Sequence, residues 1–84
     1  MAKVEWTEEA VQDVEKLDGR VAQRIVREVG WFGANFEKFI PEPLGGNYKG
    51  MYKLRIGDWR VIYSIEGDTI TIRFVGHRSQ ICRI

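Results

Sequence analysis

The distribution of apolar and polar residues divides the chain into two halves with different periods. From Gly50 to Arg78 the sequence GMYKLRIGDWRVIYSIEGDTITIRFVGHR alternates apolar and polar residues in three runs. Gly57-Asp58 separates the first two runs and Gly67-Asp68 the second two. A Gly-Asp pair between alternating runs signals a two-residue hairpin loop, because Gly accepts the positive φ that the tight turn demands. The pattern predicts an antiparallel three-stranded meander. With these loops, Ile56 faces Trp59, Arg55 faces Arg60, Leu54 faces Val61 and Lys53 faces Ile62. Across the second loop Ile65 faces Ile70, Tyr63 faces Ile72 and Ile62 faces Arg73. Successive side chains in a strand point to opposite faces. Tyr52, Leu54, Ile56, Trp59, Val61, Tyr63, Ile65, Ile70, Ile72 and Phe74 therefore form a core face. Met51, Lys53, Arg55, Arg60, Ile62, Ser64, Thr71, Arg73 and Val75 form the other.

The first half reads as one short strand and two helices. Ala2–Trp6 alternates weakly and predicts an edge strand. Thr7 stands where an N-cap belongs, and Glu8 and Glu9 follow in the first turn, where the helix dipole favours negative charge. Ala10, Val14 and Leu17, with Val11 beside them, have helical spacing up to the Asp18-Gly19 break. A second helix is predicted over Arg20–Phe32. Val21, Ile25, Val29 and Phe32 make its apolar face, Ala22 and Val26 widen it, and Gly33 is the stop. Asn35–Asn47 is expected to be a loop with some helical content at Phe36–Ile40, because Pro41 and Pro43 end any helix. The predicted architecture is α+β: two N-terminal helices packed on a small, mainly antiparallel sheet, in the order β-α-α-β-β-β, within a single domain spanning residues 1–84.

Composition narrows the functional classes. A chain of 84 residues with 44% hydrophobic and 12% aromatic content is globular rather than disordered. No apolar run approaches the ~20 residues of a membrane span, and the charged opening MAKVEWTEEA does not read as a signal peptide. The expectation is a cytoplasmic protein. A single cysteine, Cys82, excludes an internal disulfide and fits a reducing compartment. With one His and one Cys, a metal site is not expected, nor is a cofactor. The net charge of +1 conceals an asymmetry. Residues 1–42 carry six Lys/Arg and nine Asp/Glu, whereas residues 43–84 carry seven and three. The cations thus gather in the sheet half, with Lys53, Arg55, Arg60 and Arg73 on one face.

Like charges directly opposite weaken a sheet by roughly 0.2–1 kcal/mol per pair. Placing Arg55 against Arg60 therefore suits either a seat for a polyanion such as an RNA backbone or a solvated face whose arginines find carboxylates elsewhere. His77 is the sole histidine, so a two-histidine nuclease is excluded. RNA cleavage would have to rest on Lys and Arg. A lysine hemmed in by like charges loses its proton more readily, which suits Lys53 to general-base work, and arginines neutralise the charge that builds on a phosphorane-like transition state. Ser64 or Ser79 with His77 shows no nucleophile elbow, and the glycines at 45, 46 and 50 form no phosphate loop.

At these residues the chain resembles the RelE/ParE toxin superfamily, and its RelE branch in particular. The resemblance rests on G-x-YKLRIGDWRVIY followed by a strand and VGHR. It extends to the W-T-E-E-A opening, to K-L-D-x-x-V-x-x-R-I over Lys16–Ile25, and to Pro-Leu-Gly-Gly before the sheet. It implies a type II toxin with a RelE-like fold, held inactive by a RelB-like antitoxin in a toxin–antitoxin heteromer. It further implies action on mRNA in the ribosomal A site, where the ribose 2′-OH attacks the adjacent phosphate. Lys53, Arg60 and Arg78 match the basic catalytic positions of the family. Lys49, Arg55, Arg73 and His77 are the expected RNA-binding residues. Many relatives have a tyrosine near the C-terminus; its counterpart here is Cys82, or Ile81 if the tail shifts by one. Two alternatives stand beside this expectation: a ParE-like toxin acting on DNA gyrase, and a degenerate toxin that only binds its antitoxin and represses its operon.

Overall fold

The computed structural model describes residues 2–81. The elements are β1 (Lys3–Trp6), α1 (Glu8–Glu15), α2 (Gly19–Ala34), a 3-10 turn (Phe36–Lys38), β2 (Glu42–Pro43), β3 (Met51–Ile56), β4 (Trp59–Glu66), β5 (Thr69–His77) and α3 (Arg78–Ile81). The strands form one mixed sheet in the order β1-β5-β4-β3-β2. Only the β1–β5 pair is parallel; the helices after β1 carry the chain to β2 at the far edge of the sheet, and the antiparallel run β2–β5 brings it back beside β1. The α+β class is therefore as predicted, with a fifth strand and a third helix added.

Local chemistry sets the boundaries. The Thr7 hydroxyl accepts the Ala10 N–H at 3.1 Å and opens α1. Asp18 caps α2, its carboxylate accepting the Arg20 N–H at 3.2 Å. Gly57 and Gly67 take φ values of +59° and +61° in the hairpin loops, while among the described residues no other residue type has positive φ. Each loop thus has Gly at the first central position and Asp at the second.

The core lies between the sheet and the α1–α2 hairpin. Ala10 and Val14 from α1 and Ile25, Val29 and Phe32 from α2 meet Ile56, Val61, Tyr63, Ile70, Ile72 and Val75 from the sheet. The Phe32 ring packs edge-on against Phe36, Phe39 and Tyr63 at 4.9–5.4 Å, and Tyr63 stacks on Tyr52 at 5.7 Å. Val11 and Val26 are exposed, so the apolar stripes are narrower than the sequence suggests.

Four expectations need correcting. First, Gly33 does not stop α2, which runs through it to Ala34. A Cβ on Gly33 would collide with the Val4 side chain, and the Gly33 carbonyl accepts the Ala2 N–H at 2.9 Å. Gly33 is there to let helix and strand approach. Second, the segment before the meander is not wholly loop: Glu42 and Pro43 pair with Lys53 and Tyr52 as an edge strand. Proline is tolerated on a sheet edge, where its missing N–H faces outward. Third, residues 78–81 are a helical turn.

Fourth, the β4–β5 register is not uniform. Tyr63 pairs with Ile72, but Ile62 pairs with Phe74 rather than Arg73. Arg73 is the extra residue of a β-bulge. The bulge exchanges the two faces beyond it: Val75 joins the core, 7% exposed, while Phe74 moves to the face carrying Ile62. Its cause lies next door. β1 ends at Trp6, so β5 has no strand partner on that side after Ile72. Thr7 covers the gap, its hydroxyl 3.0 Å from the carbonyl oxygens of both Ile72 and Arg73. The Asp13 carboxylate accepts the Val75 N–H at 3.0 Å. Backbone groups that a ladder would have paired are paired by α1 instead.

Gly33→Ala is expected to destabilise the fold by about 1–3 kcal/mol through overpacking. Gly30→Ala, in the same helix with open space around it, should instead stabilise by up to about 1 kcal/mol. Urea unfolding of the two variants checks the contrast. Burial, reinforced by Tyr52 and Glu42, pushes the Tyr63 hydroxyl up to about 12. The folded state thus holds that proton after the unfolded chain, near 10, has lost it. Stability is complete below about pH 10 and should fall as the pH rises from there through about 12. Tyr63→Phe should flatten that alkaline limb of the melting temperature.

Candidate functional site

The face of the sheet away from α1 and α2 carries the basic residues. Lys53 and Arg55 alternate on β3, and the predicted Arg55–Arg60 pairing is present. Arg60 pairs on its other side with Gly76. Lys53 and Arg60 are thus diagonal neighbours across the β3–β4 ladder, a separation of about 7–8 Å between Cα atoms. Arg78 opens α3 where β5 ends, and its backbone N–H donates to the Asp58 carbonyl at 2.7 Å. The register therefore sets Lys53, Arg55 and Arg60 side by side and brings Arg78 to the β3–β4 loop next to Arg60.

The partners of these cations differ. β2 brings Glu42 beside Lys53, with its carboxylate 2.7 Å from Arg55 Nη2 and 3.4 Å from Lys53 Nζ. The Arg55 guanidinium, with Lys53 behind it, holds the Glu42 carboxyl below the usual carboxylate range. Arg78 Nε lies 3.5 Å from Asp58, both side chains well exposed. Among the described residues Arg60 has no carboxylate; its Nη1 donates to the carbonyls of Gly57 and Trp59, both at 3.0 Å. Glu42, on the edge strand, thus brings an acid to this face. Its carboxylate lies within reach of both Lys53 and Arg55 and partly balances their like charges.

The predicted RNA-binding residues do not all gather here. Arg55 does. Arg73, displaced by the bulge, donates to the Ser64 hydroxyl at 2.9 Å and lies 3.5 Å from Glu66, toward the opposite end of the sheet. Lys49 is exposed in the turn before β3, at that same end. His77 pairs with Trp59 on the helix-bearing face and meets its ring edge-on at 5.2 Å. Its Nδ1 accepts the Ser79 N–H at 3.2 Å, so in the neutral ring the proton sits on Nε2. Cys82 lies outside the described residues. Ile81 is buried over Gly76, where a Cβ would lie 2.7 Å from Ile81 Cδ1. Because Gly76 is the cross-strand partner of Arg60, α3 covers part of the face near Arg60.

A cavity of about 110 Å³ lies between α2 and β3, away from this face, lined by Trp31, Phe32, Phe39, Leu54 and Ile56 with Glu28 and Arg55 at its rim. The cationic residues line a sheet surface rather than that cavity, which suits an extended anion more than a small enclosed molecule. Among the described residues no group of His, Cys, Asp and Glu could hold a metal ion, and no helix is long and apolar enough to cross a membrane. Sequence reasoning missed Glu42. A two-residue strand, Glu42–Pro43, preceded by Pro41, leaves no periodic signal.

A helical hairpin backing a five-stranded mixed sheet is the fold of the RelE-like toxins of type II toxin–antitoxin systems. Residues 4–82 match the family model described as the ParE toxin of the type II toxin–antitoxin system parDE, and the chain belongs to that family. A chain of the RelBE2 toxin–antitoxin complex of Mycobacterium tuberculosis is 29% identical with a TM-score of 0.78, over 92% of this chain and 98% of that one. The RelB–RelE complex of Methanococcus jannaschii gives 24% identity and a TM-score of 0.70, covering 93% and 94%. The chromosomal ParDE system of P. aeruginosa gives 19% and 0.70, covering 92% and 96%. No curated protein matches the chain by sequence.

The electrostatics of Glu42 are directly measurable. Because its folded-state carboxyl is held low, the stability that it contributes is present above its unfolded value near 4.3 and is lost as the pH falls through the folded value. NMR titration should place the Glu42 midpoint below about 4.3, and Arg55→Gln should move it back up.

Proposed function

We propose that this toxin is a ribosome-dependent mRNA endoribonuclease acting without a metal or cofactor. The observation that carries the reading is the registered placement of Lys53, Arg55 and Arg60 on one face of the sheet, with Arg78 at the adjoining loop. Four cations around one patch, paired only with exposed or half-exposed carboxylates, can exchange those partners for a phosphodiester at small cost. Arg60, which has only backbone acceptors among the described residues, binds the scissile phosphate. Lys53 neutralises charge on the phosphorane as the 2′-OH attacks. Arg78 stabilises the departing 5′ oxygen. The P–O5′ bond breaks, the 2′ oxygen closes a 2′,3′-cyclic phosphate, and the 2′-OH proton passes to solvent or to the leaving oxygen. Several solved relatives are toxin–antitoxin complexes, which supports a RelB-like antitoxin as the partner in a cytoplasmic heteromer.

One observation favours a second reading. The family model that matches is the ParE toxin, and Glu42 holds two of the four cations. The second reading is inhibition of DNA gyrase without RNA chemistry.

Adding purified protein to translating ribosomes separates the two. On the first reading mRNA is cut in the A site, and Lys53→Ala or Arg60→Ala lowers the rate by about 10²-fold or more. Intact mRNA together with blocked supercoiling by gyrase would establish the second.

A further inference from the structure

The cationic surface does not stop at the sheet. Arg20, Arg24 and Arg27 are spaced i, i+4 and i+7 along α2 and share one exposed face of it. Among the described residues Arg20 and Arg27 have no carboxylate partner. Arg24 bonds Glu28 at 2.7 Å through Nε, which leaves its two terminal nitrogens for other use. Both point at the β3–β4 loop: a Cβ on Gly57 would lie 2.9 Å from Nη1 and 3.2 Å from Nη2. On the other side of the same glycine, Arg60 Nη1 holds the Gly57 carbonyl at 3.0 Å. Arg78 lies 3.5 Å from Asp58, the next residue. Three guanidinium groups from α2, β4 and α3 therefore surround one two-residue loop that supplies a single acid.

We propose that Arg24 is a phosphate-binding residue, and that it carries the RNA track from the sheet face, round the Gly57-Asp58 loop, onto the arginine stripe of α2. The proposal rests on the reading of the sheet face as an RNA seat and extends it to a second element. Two features favour a nucleic-acid backbone as the occupant. The cations continue from the β3–β4 loop along α2 at positions 20, 24 and 27, as successive phosphates of one backbone require. An arginine fork held only by an exposed i, i+4 pair is readily given up to a phosphate, which it can bind bidentately. The absence of a side chain on Gly57 is what lets the Arg24 fork reach the loop. Arg24 stands in a helix whose surroundings in sequence are acidic, so charge counting along the chain did not mark it.

The test is the salt dependence of RNA binding, measured by fluorescence anisotropy with a short 2′-O-methyl RNA oligonucleotide, which the toxin cannot cleave. Every cation that neutralises a phosphate of a single strand adds about 0.7 to the slope of log K against log salt, so its removal should reduce the slope by that amount. Arg24→Gln and Arg60→Gln should each show such a reduction. Lys3→Gln, a surface cation on the opposite edge strand, should leave the slope unchanged. Matching thermal unfolding curves show that the variants are folded. An unchanged slope for Arg24→Gln alongside a reduced one for Arg60→Gln overturns this inference and leaves the RNA seat standing. A reduced slope for Arg24→Gln alone counts against the seat and so overturns a track that continues from it. No RNA binding by the unaltered protein overturns both.

Discussion

Much of this molecule depends on how α1 closes the edge of β5. A parallel partner covers β5 only to Ile72; beyond it, Arg73 C=O and Val75 N–H would face a gap. Thr7 and Asp13 fill that gap with one hydroxyl and one carboxylate. Thr7 thus caps its own helix and ties the helix start to a strand residue 66 positions later in sequence. An unpaired buried backbone group costs about 1–3 kcal/mol, so these bonds are large on the scale of a small domain's stability. They also stabilise the bulge. Without it, Phe74 would fall into the core and Val75 onto the cationic face, and the faces of Gly76 and His77 would be exchanged as well.

The cationic face is a balance between repulsion and exchangeable pairing. Arg55 opposite Arg60 is unfavourable in isolation, and Glu42 from the edge strand relieves it. The relief is partial and lies at the surface, where ion pairs are worth about 0–1 kcal/mol. That weakness has a functional consequence. A deeply buried pair would fix Arg55 and Lys53 permanently, whereas a solvated one yields to a competing polyanion. Arg60 needs no exchange at all, because carbonyl oxygens, not carboxylates, orient its guanidinium. The site is thus already ordered at its centre and adjustable at its flanks.

The β3–β4 loop joins this face to the rest of the protein. Its glycine has positive φ for the turn and no side chain to block Arg24, and its carbonyl orients Arg60. One residue serves turn geometry, helix-to-loop contact and arginine placement together. His77, by contrast, is turned away: its ring packs on Trp59 and its Nδ1 is occupied by the Ser79 N–H.

The sequence alone determined what local periodicity and turn chemistry can determine. The Gly57-Asp58 loop specified the β3–β4 register completely, so the side-by-side placement of Lys53, Arg55 and Arg60 was legible without coordinates. The spacing of Ile25, Val29 and Phe32 likewise marked the buried face of α2. Tertiary structure decided whatever depends on residues far apart in the chain. The bulge at Arg73 arises because β1 ends early, Glu42 reaches Lys53 through a strand too short to show a period, and Gly33 is small because Val4 packs against it. Each is an interaction between segments whose spacing in sequence carries no regular signal, and only the packed chain brings them within reach of one another.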